Sequence, residues 1–262
     1  MQKQLTARSQ TEGVYAQLRA DVLTCRLEPG MKLYINELCD RYAASLSAVR
    51  EALSRLTADS LVVAEPQKGF RVAPISRDDL IDLSRTRAKI EAICLREAVE
   101  KGDVTWETQV LAAHHFLART PMRRPSDPAL LSKEWDIRHN EFHMALASGC
   151  GSPTLMRIRQ SLFEQSERYR FLSFPVDYGK RDVAAEHQAI CDAALRRDPE
   201  GVAQLIAMHI ERTAQTILTA MASWEHGDDR TEKKTLPAVG ARLANGGRKS
   251  SKRKRSISVE VG

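Results

Sequence analysis

The stretch "SLSAVREALSRL" (Ser45–Leu56), followed by "LVVAEPQKGFRVAPI" (Leu61–Ile75), decides how the chain is read. Val49, Ala52, Leu53 and Leu56 recur at helical spacing along one face of the first segment. The second splits into two short β-rich runs around "PQKG", a hairpin with a glycine near its tip. Upstream, "YINELCDRY" puts Ile35, Leu38, Cys39 and Tyr42 on a short helix, and a break at "AAS" separates it from the next. Further back, "GVYAQLRADVLTCRL" carries Val14, Leu18, Val22 and Leu23 and stops at "EPG" (Glu28–Gly30). Helix, helix, tight turn, helix and hairpin is the order of a winged helix-turn-helix. In that arrangement the second helix of the turn enters the DNA major groove by its N-terminal end.

An amphipathic helix alone more often fills a core than meets DNA, so the order around this one carries the reading. Small hydroxyl residues at its start, Ser45 and Ser47, permit close approach and hydrogen bonds to phosphates or base edges. Arg50, one turn on, reaches a phosphate or a guanine. Lys68 and Gly69 fall at the tip of the wing. Arg19, Lys32 and Arg41 are phosphate candidates, with solvated surface charge an equal alternative for each.

From Ser76 onward the pattern is helical and no convincing strand is expected. Ser76 is a suitable N-cap with Asp78 and Asp79 in the first turn, and that helix stops at Lys101–Gly102. Helices are expected over about 104–119, 127–148, 152–173, 181–197 and 199–223. The fold class is therefore mostly α: an N-terminal winged helix-turn-helix (1–75), an all-α helical-bundle effector domain (76–226) and a disordered basic tail (227–262).

The net charge of +6 belongs to that tail, which holds ten Lys/Arg against four Asp/Glu, so the first 226 residues balance to zero. A basic isoelectric point is then weak evidence for nucleic-acid binding by the body. "GGRKSSKRKRS" (246–256) is either a source of non-specific phosphate attraction or a solvated appendage. The five cysteines are scattered and never form a C-x-x-C pair, which suits reduced thiols in a cytosol. No apolar run is long enough for a membrane span and Met1–Gln10 has no signal-peptide core, so a cytoplasmic chain with no membrane partner is expected.

In "HNEFH", His139 and His143 lie one turn apart on one helix face, where two imidazoles can share a metal ion. His187 and His209 occupy two helices joined by the short "RRDPEG" turn, each about three turns from it, and so reach one level of a helical hairpin. A lone histidine on a core face is usually just hydrogen-bonded, but two such pairs suit a divalent metal such as Zn²⁺ or Ni²⁺. The zinc-protease motif needs Glu directly after the first His; here Asn140 stands there, with Glu141 about 100° further round the helix. No Ser-His-Asp elbow, phosphate loop or dinucleotide glycine pattern occurs elsewhere. An enzyme is the minority reading.

"LEPGMKLYINELCDRYAASLSAVREALSRLTADSLVVAEPQKGFRV" resembles the DNA-binding domain of GntR-type bacterial transcription regulators over about 60 residues. The resemblance puts Ser45, Ser47 and Arg50 on positions that family uses for DNA contact, and Gly69 on its wing tip. Where the family usually has Arg, this chain has Leu46, and Ala48 stands where Pro is frequent. Arg to guanine is the commonest specific major-groove contact, so the usual operator preference does not carry over. Leu46 either touches a thymine methyl group or packs.

"RTRAKIEAICLREAVEKG", "RHNEFHMALASGCGSPTLMRI" and "DVAAEHQAICDAALRRDPEGVAQLIAMHI" are similar to the all-helical, FCD-type effector domain of the fatty-acid-regulator branch of that family. This second resemblance implies that Arg87 meets the carboxylate of a small organic acid and that His143, His187 and His209 bind metal. The fourth ligand there is most often Asp or Asn where this chain has His139. Asp136, one turn earlier, then either supplies a carboxylate or orients His139. Arg87 has an ordinary alternative, an i,i+4 salt bridge with Glu91. The texture around "QSERYR" (Gln165–Arg170) and "RDVAAEH" also resembles regulators of short dicarboxylate catabolism, the glutarate-responsive kind included.

The expected protein is thus a homodimeric repressor on a double-stranded palindromic operator, released by a small carboxylate effector anchored at a divalent metal. A metal-responsive regulator, or a metal-dependent enzyme fused to a DNA-binding head, are the alternatives.

Overall fold

Val14, Leu18 and Val22 project from the first helix into a core completed by Leu38, Val49, Leu53, Leu56 and Leu61. That helix, α1 (Gln2–Leu23), begins earlier than its apolar stripe. The computed structural model describes residues 2–173 and 181–226, so the basic tail lies outside the described residues. After α1 come β1 (Lys32–Leu33), α2 (Ile35–Tyr42), α3 (Leu46–Ala58), β2 (Val62–Glu65) and β3 (Gly69–Val72). The three strands form one antiparallel sheet in the order β1-β3-β2, with Leu33 opposite Phe70 and Val62 opposite Val72. Strand β1 is too short to leave an alternation in the sequence, and it is paired through the wing.

Two backbone details set the head's geometry. Helix α2 ends on Ala43 in the left-handed region (φ 49°), and the next amide, Ala44 N–H, donates to the Cys39 carbonyl at 3.0 Å. That cap turns the chain toward α3, whose Ser45 N-cap accepts from the Ala48 amide at 3.3 Å. Gly69 closes the wing turn at φ 92° with open space where a side chain would project, so the dihedral alone asks for glycine there.

The remainder is a helical bundle: α4 (Arg77–Lys101), α5 (Val104–Arg119), α6 (Lys133–Ser148), α7 (Pro153–Ser173), α8 (Val183–Leu195) and α9 (Pro199–His226). Ser76 caps α4, accepting from the Asp79 amide at 3.1 Å. Leu95, Val110, Phe142, Leu146, Ile190 and Ile206 fill its core. Trp106 joins them, its indole N–H donating to the Ala145 carbonyl at 3.0 Å. No helix among the described residues is long and apolar enough to cross a membrane.

One expectation is corrected. A helix over 127–148 and an absence of strands after Ser76 do not hold, because β4 (Arg123–Arg124) pairs antiparallel with β5 (Asp127–Leu131). Pro125 and Pro128 bring no amide hydrogen to a helical ladder. Ser132, accepting from the Trp135 amide at 3.3 Å, starts α6 afresh just beyond the hairpin.

Helix α7 touches both parts of the chain. The buried Arg168 guanidinium donates to the Ala73 carbonyl, and the Cys25 thiol points at the Arg168 carbonyl, 3.7 Å away. Tyr169 accepts from the Ser76 amide at 3.2 Å and donates to Asp79, while Arg19 of α1 pairs with Glu164.

Candidate metal centre and DNA-reading face

On α3 the inner face is Ala48, Val49, Ala52, Leu53 and Leu56, all buried, while Ser45, Leu46, Ser47 and Arg50 are exposed. Ser45 and Ser47 lie with their hydroxyls 3.2 Å apart. Arg50 has no ion-pair partner among the described residues, unlike its neighbours. Arg55 pairs with Glu12 at 2.7 Å and Arg41 with Asp21 at 2.9 Å, and Arg19 is held by Glu164. Arg19 and Arg41 therefore each face a carboxylate of the protein itself, Arg41 at the exposed surface. Lys32 lies over the Tyr34 ring, 5.3 Å from its centroid. Lys68 and Gly69 are exposed on the wing turn.

In the bundle, α6 contributes His139 and His143, α8 His187 and α9 His209, and all four are buried. One ring nitrogen from each lies within 4.8 Å of the others. The Nε2 atoms of His139 and His143 are 3.1 Å apart. Two nitrogens bound tetrahedrally at ordinary Zn–N lengths stand about 3.3–3.4 Å apart, so the pair needs almost no adjustment. Among the described residues, His139 Nδ1, His143 Nδ1 and His187 Nε2 are buried with no hydrogen-bond partner. A buried polar nitrogen is ordinarily satisfied. His187 Nε2 has no partner and the Nε2 atoms of His139 and His143 face each other, so an electron-pair acceptor is what these three nitrogens lack, while an ion there leaves the two Nδ1 atoms unpartnered.

Electrostatics agree. Burial, and then the neighbouring imidazoles and arginines, hold His139 and His143 well below the ordinary histidine range. Burial likewise lowers His187 well below it and depresses His209, with Glu186 opposing in both cases. Neutral imidazoles are the form that binds a metal. Trp135 stacks on His139 with centroids 4.7 Å apart and fixes that ring. The residues fit a divalent, borderline ion.

Two charged groups at the site were not legible as parts of it. Glu186 accepts from His209 Nδ1 at 2.8 Å and is itself held by Arg181 at 2.6 Å and Arg212 at 3.2 Å. Its position directly before His187 is a signal in the sequence, but its partner is on the next helix. Arg159 of α7, fully buried, donates to Glu91 at 2.9 Å. Arg87 approaches Glu91 only to 3.6 Å, so the ordinary i,i+4 bridge is not its main contact. Instead Arg87 donates to Ser166 Oγ at 2.7 Å and lies over the Phe163 ring. Asp136 pairs with Arg170 and does not hydrogen-bond His139, whose Nδ1 stays unpartnered.

Beside His139 and His209 a cavity opens between α4, α6, α7 and α9, and three guanidiniums line it: Arg87, Arg170 and Arg181. Arg170 and Arg181 face carboxylates of their own, whereas Arg87 has its nearest carboxylate at 3.6 Å. Leu80, Ile217 and Trp135 supply the apolar wall. Positive charge and apolar surface thus meet in one cavity.

Residues 10–72 match the profile of "Bacterial regulatory proteins, gntR family", and residues 82–212 match the FCD domain. The chain is 40% identical to the HTH-type transcriptional regulator BphR of Paraburkholderia xenovorans (strain LB400), over 80% of this chain and 86% of that protein. It is 37% identical to the HTH-type transcriptional repressor GlaR of Escherichia coli (strain K12), over 79% of this chain and 96% of that one. Among solved structures, the fold is shared with a GntR-type putative regulator from Rhodococcus sp. RHA1 (TM-score 0.65, 22% identity, 81% of this chain and 99% of that one). It is also shared with E. coli McbR/YncC (TM-score 0.64, 19% identity, 82% and 98%). The chain belongs to the GntR family of bacterial transcription regulators and carries an FCD domain behind its DNA-binding head. Both of these relatives, BphR and GlaR, bear the names of transcription regulators, one of them a repressor.

Proposed function

We propose that the chain is a ligand-released transcriptional repressor whose FCD domain binds a small carboxylic acid beside a divalent metal. His139, His143, His187 and His209 would hold the ion, with Zn²⁺ or Ni²⁺ suited to four imidazoles. The ion would supply a Lewis-acidic point for one carboxylate oxygen. Arg87 forks the acid's other oxygen or a second polar end, and Ser166 orients the guanidinium. The observation that carries the reading is the juxtaposition of four buried, neutral imidazoles with a cavity bearing Arg87. Repression is supported by the name of the GlaR relative.

On DNA, Ser45, Ser47 and Arg50 would meet bases and phosphates while Lys68 and Gly69 follow the backbone from the wing. A homodimer on a palindromic operator supplies two such heads. The site of action is the cytoplasm, where a bacterial operator lies. The division at about 75 separates the head from the effector bundle, and α7, which touches the cavity through Ser166 and the head through Arg168, is a physical route between them. A ligand shifts the DNA-bound fraction only by its difference in affinity for the two states.

The test is operator binding by the metal-loaded full chain with and without a panel of small carboxylic acids, at fixed salt. One acid changing affinity at least about tenfold, equivalent to about 1.4 kcal/mol of coupling, supports the proposal. His143→Ala with His187→Ala should strip the metal and abolish that response, and equal metal content in the variant would return these residues to the core. A second reading has one observation in its favour. Four protein ligands complete a tetrahedral shell; where Zn²⁺ keeps that shell and does not expand to a fifth ligand, the acid has no place on the ion and the ion itself becomes the signal. Operator affinity that tracks metal alone, with no acid having an effect, selects this reading.

A further inference from the structure

We infer that Leu46 reads a thymine methyl group in the operator, making it a specificity-determining residue. The sequence leaves this leucine two roles, packing or DNA contact, and the structure keeps it out of the head's core. Leu46 is 49% exposed although it opens a helix whose inner face is fully occupied by Ala48, Val49, Ala52 and Leu53. An exposed leucine is unremarkable by itself; its place is what matters. It shares the outward side of α3 with Arg50, one turn on, and is flanked by the exposed Ser45 and Ser47. Ser45, as N-cap, accepts from the Ala48 amide at 3.3 Å and so fixes the backbone on which Leu46 stands.

This end of the helix is the one that enters the major groove in a winged helix-turn-helix. There the bases present acceptors and donors, and one apolar group, the C5-methyl of thymine. Leucine has neither donor nor acceptor. Set against guanine, it would leave N7 and O6 dehydrated and unpaired, which costs affinity. Set against thymine, it removes two apolar surfaces from water. The same side chain therefore favours thymine and rejects guanine, the reverse of an arginine at this position.

The inference rests on DNA binding by the head, and the experiment separates the two. The full chain is used to select preferred duplexes from a random-sequence DNA pool. Each thymine of the recovered half-site is then replaced by deoxyuridine, which deletes only the methyl group. One position per half-site should weaken binding about fourfold on methyl loss, and about fifteenfold when both half-sites are changed, as expected for methyl-sized burial. In Leu46→Ala that penalty should vanish at that position alone, whereas Leu46→Met should retain it. Because Leu46 lies outside the head's core, both variants should keep the wild-type melting midpoint. Deoxyuridine penalties equal in wild type and Leu46→Ala overturn the inference, as does a selected half-site without thymine. Binding without any sequence preference also overturns it while leaving the family's DNA binding intact. A chain that binds no duplex sinks both.

Discussion

Glu186 takes a hydrogen bond from His209 Nδ1 at 2.8 Å, which leaves Nε2 as the nitrogen His209 offers toward the other three imidazoles. The carboxylate stands one residue before another histidine of the cluster, on the opposing helix, and two arginines hold it in turn. A carboxylate behind an imidazole fixes the ring's tautomer and orientation and raises its basicity as a ligand. Glu186→Gln keeps the shape and removes the charge. It should weaken metal binding about 10- to 100-fold, measured by competition with a chelator. Unchanged metal affinity would reduce Glu186 to a partner of Arg181.

The second prediction concerns the charges beneath the cavity. Arg159 and Glu91 are both fully buried, with Nε to Oε2 at 2.9 Å, and Arg87 adds a second guanidinium at 3.6 Å from the same carboxylate. Removing one partner of a buried pair strands the other. Glu91→Leu should therefore cost about 3–5 kcal/mol in denaturant unfolding. Glu91→Leu combined with Arg159→Met should recover part of that loss, since an apolar pair of similar volume avoids the desolvation penalty. A double variant no better than the single would mean that Arg87 is the stranded charge.

These two sites mark where sequence reading stops. The winged helix-turn-helix is legible because its signals are local: the Val49–Leu56 stripe, the Ser45 cap and the glycine of the wing. The four histidines are legible as well, since i,i+4 spacing and a short helical turn are local facts that bring distant rings to one level. Arg159 was not, because its carboxylate lies 68 positions away on another helix, and the nearer partner Arg87 made the simpler explanation of Glu91. Nor was the β4–β5 hairpin, whose five-residue second strand ran straight into the pattern of α6. A pairing 68 positions apart leaves no period in the chain, and a two-residue strand such as β4 is too short to leave one.

Arg168 provides the third prediction. It is buried, with its guanidinium on the Ala73 carbonyl at the end of the wing segment, and Ser166 two residues earlier holds Arg87. If α7 carries ligand state to the head, Arg168→Met should leave metal content and acid binding to the bundle unchanged. The ratio of operator affinities with and without acid should fall from about tenfold toward one. Paired isotherms, one for acid and one for DNA, check this. A variant that keeps the full ratio removes the Arg168–Ala73 contact from the coupling.

The last prediction returns to the turn between the two helices of the head. Ala43 sits at φ 49° and ψ 47°, the left-handed conformation that closes α2. An L-residue with a Cβ in that region is strained by about 1–2 kcal/mol. Glycine removes the strain but brings a more flexible unfolded chain, which costs about 0.5–1 kcal/mol. The net gain for Ala43→Gly is then about 0.5–1 kcal/mol, and the melting midpoint should rise by about 1–3 °C. Gly69→Ala is the opposite experiment: φ 92° with open space around the added methyl isolates the dihedral cost, so the midpoint should fall. Operator affinity should follow neither change in the Ala43 variant, because the substitution relieves strain without moving Ser45 or Arg50. A lower midpoint for Ala43→Gly would show that the Ala43 methyl group contributes more through its contacts than the left-handed backbone costs.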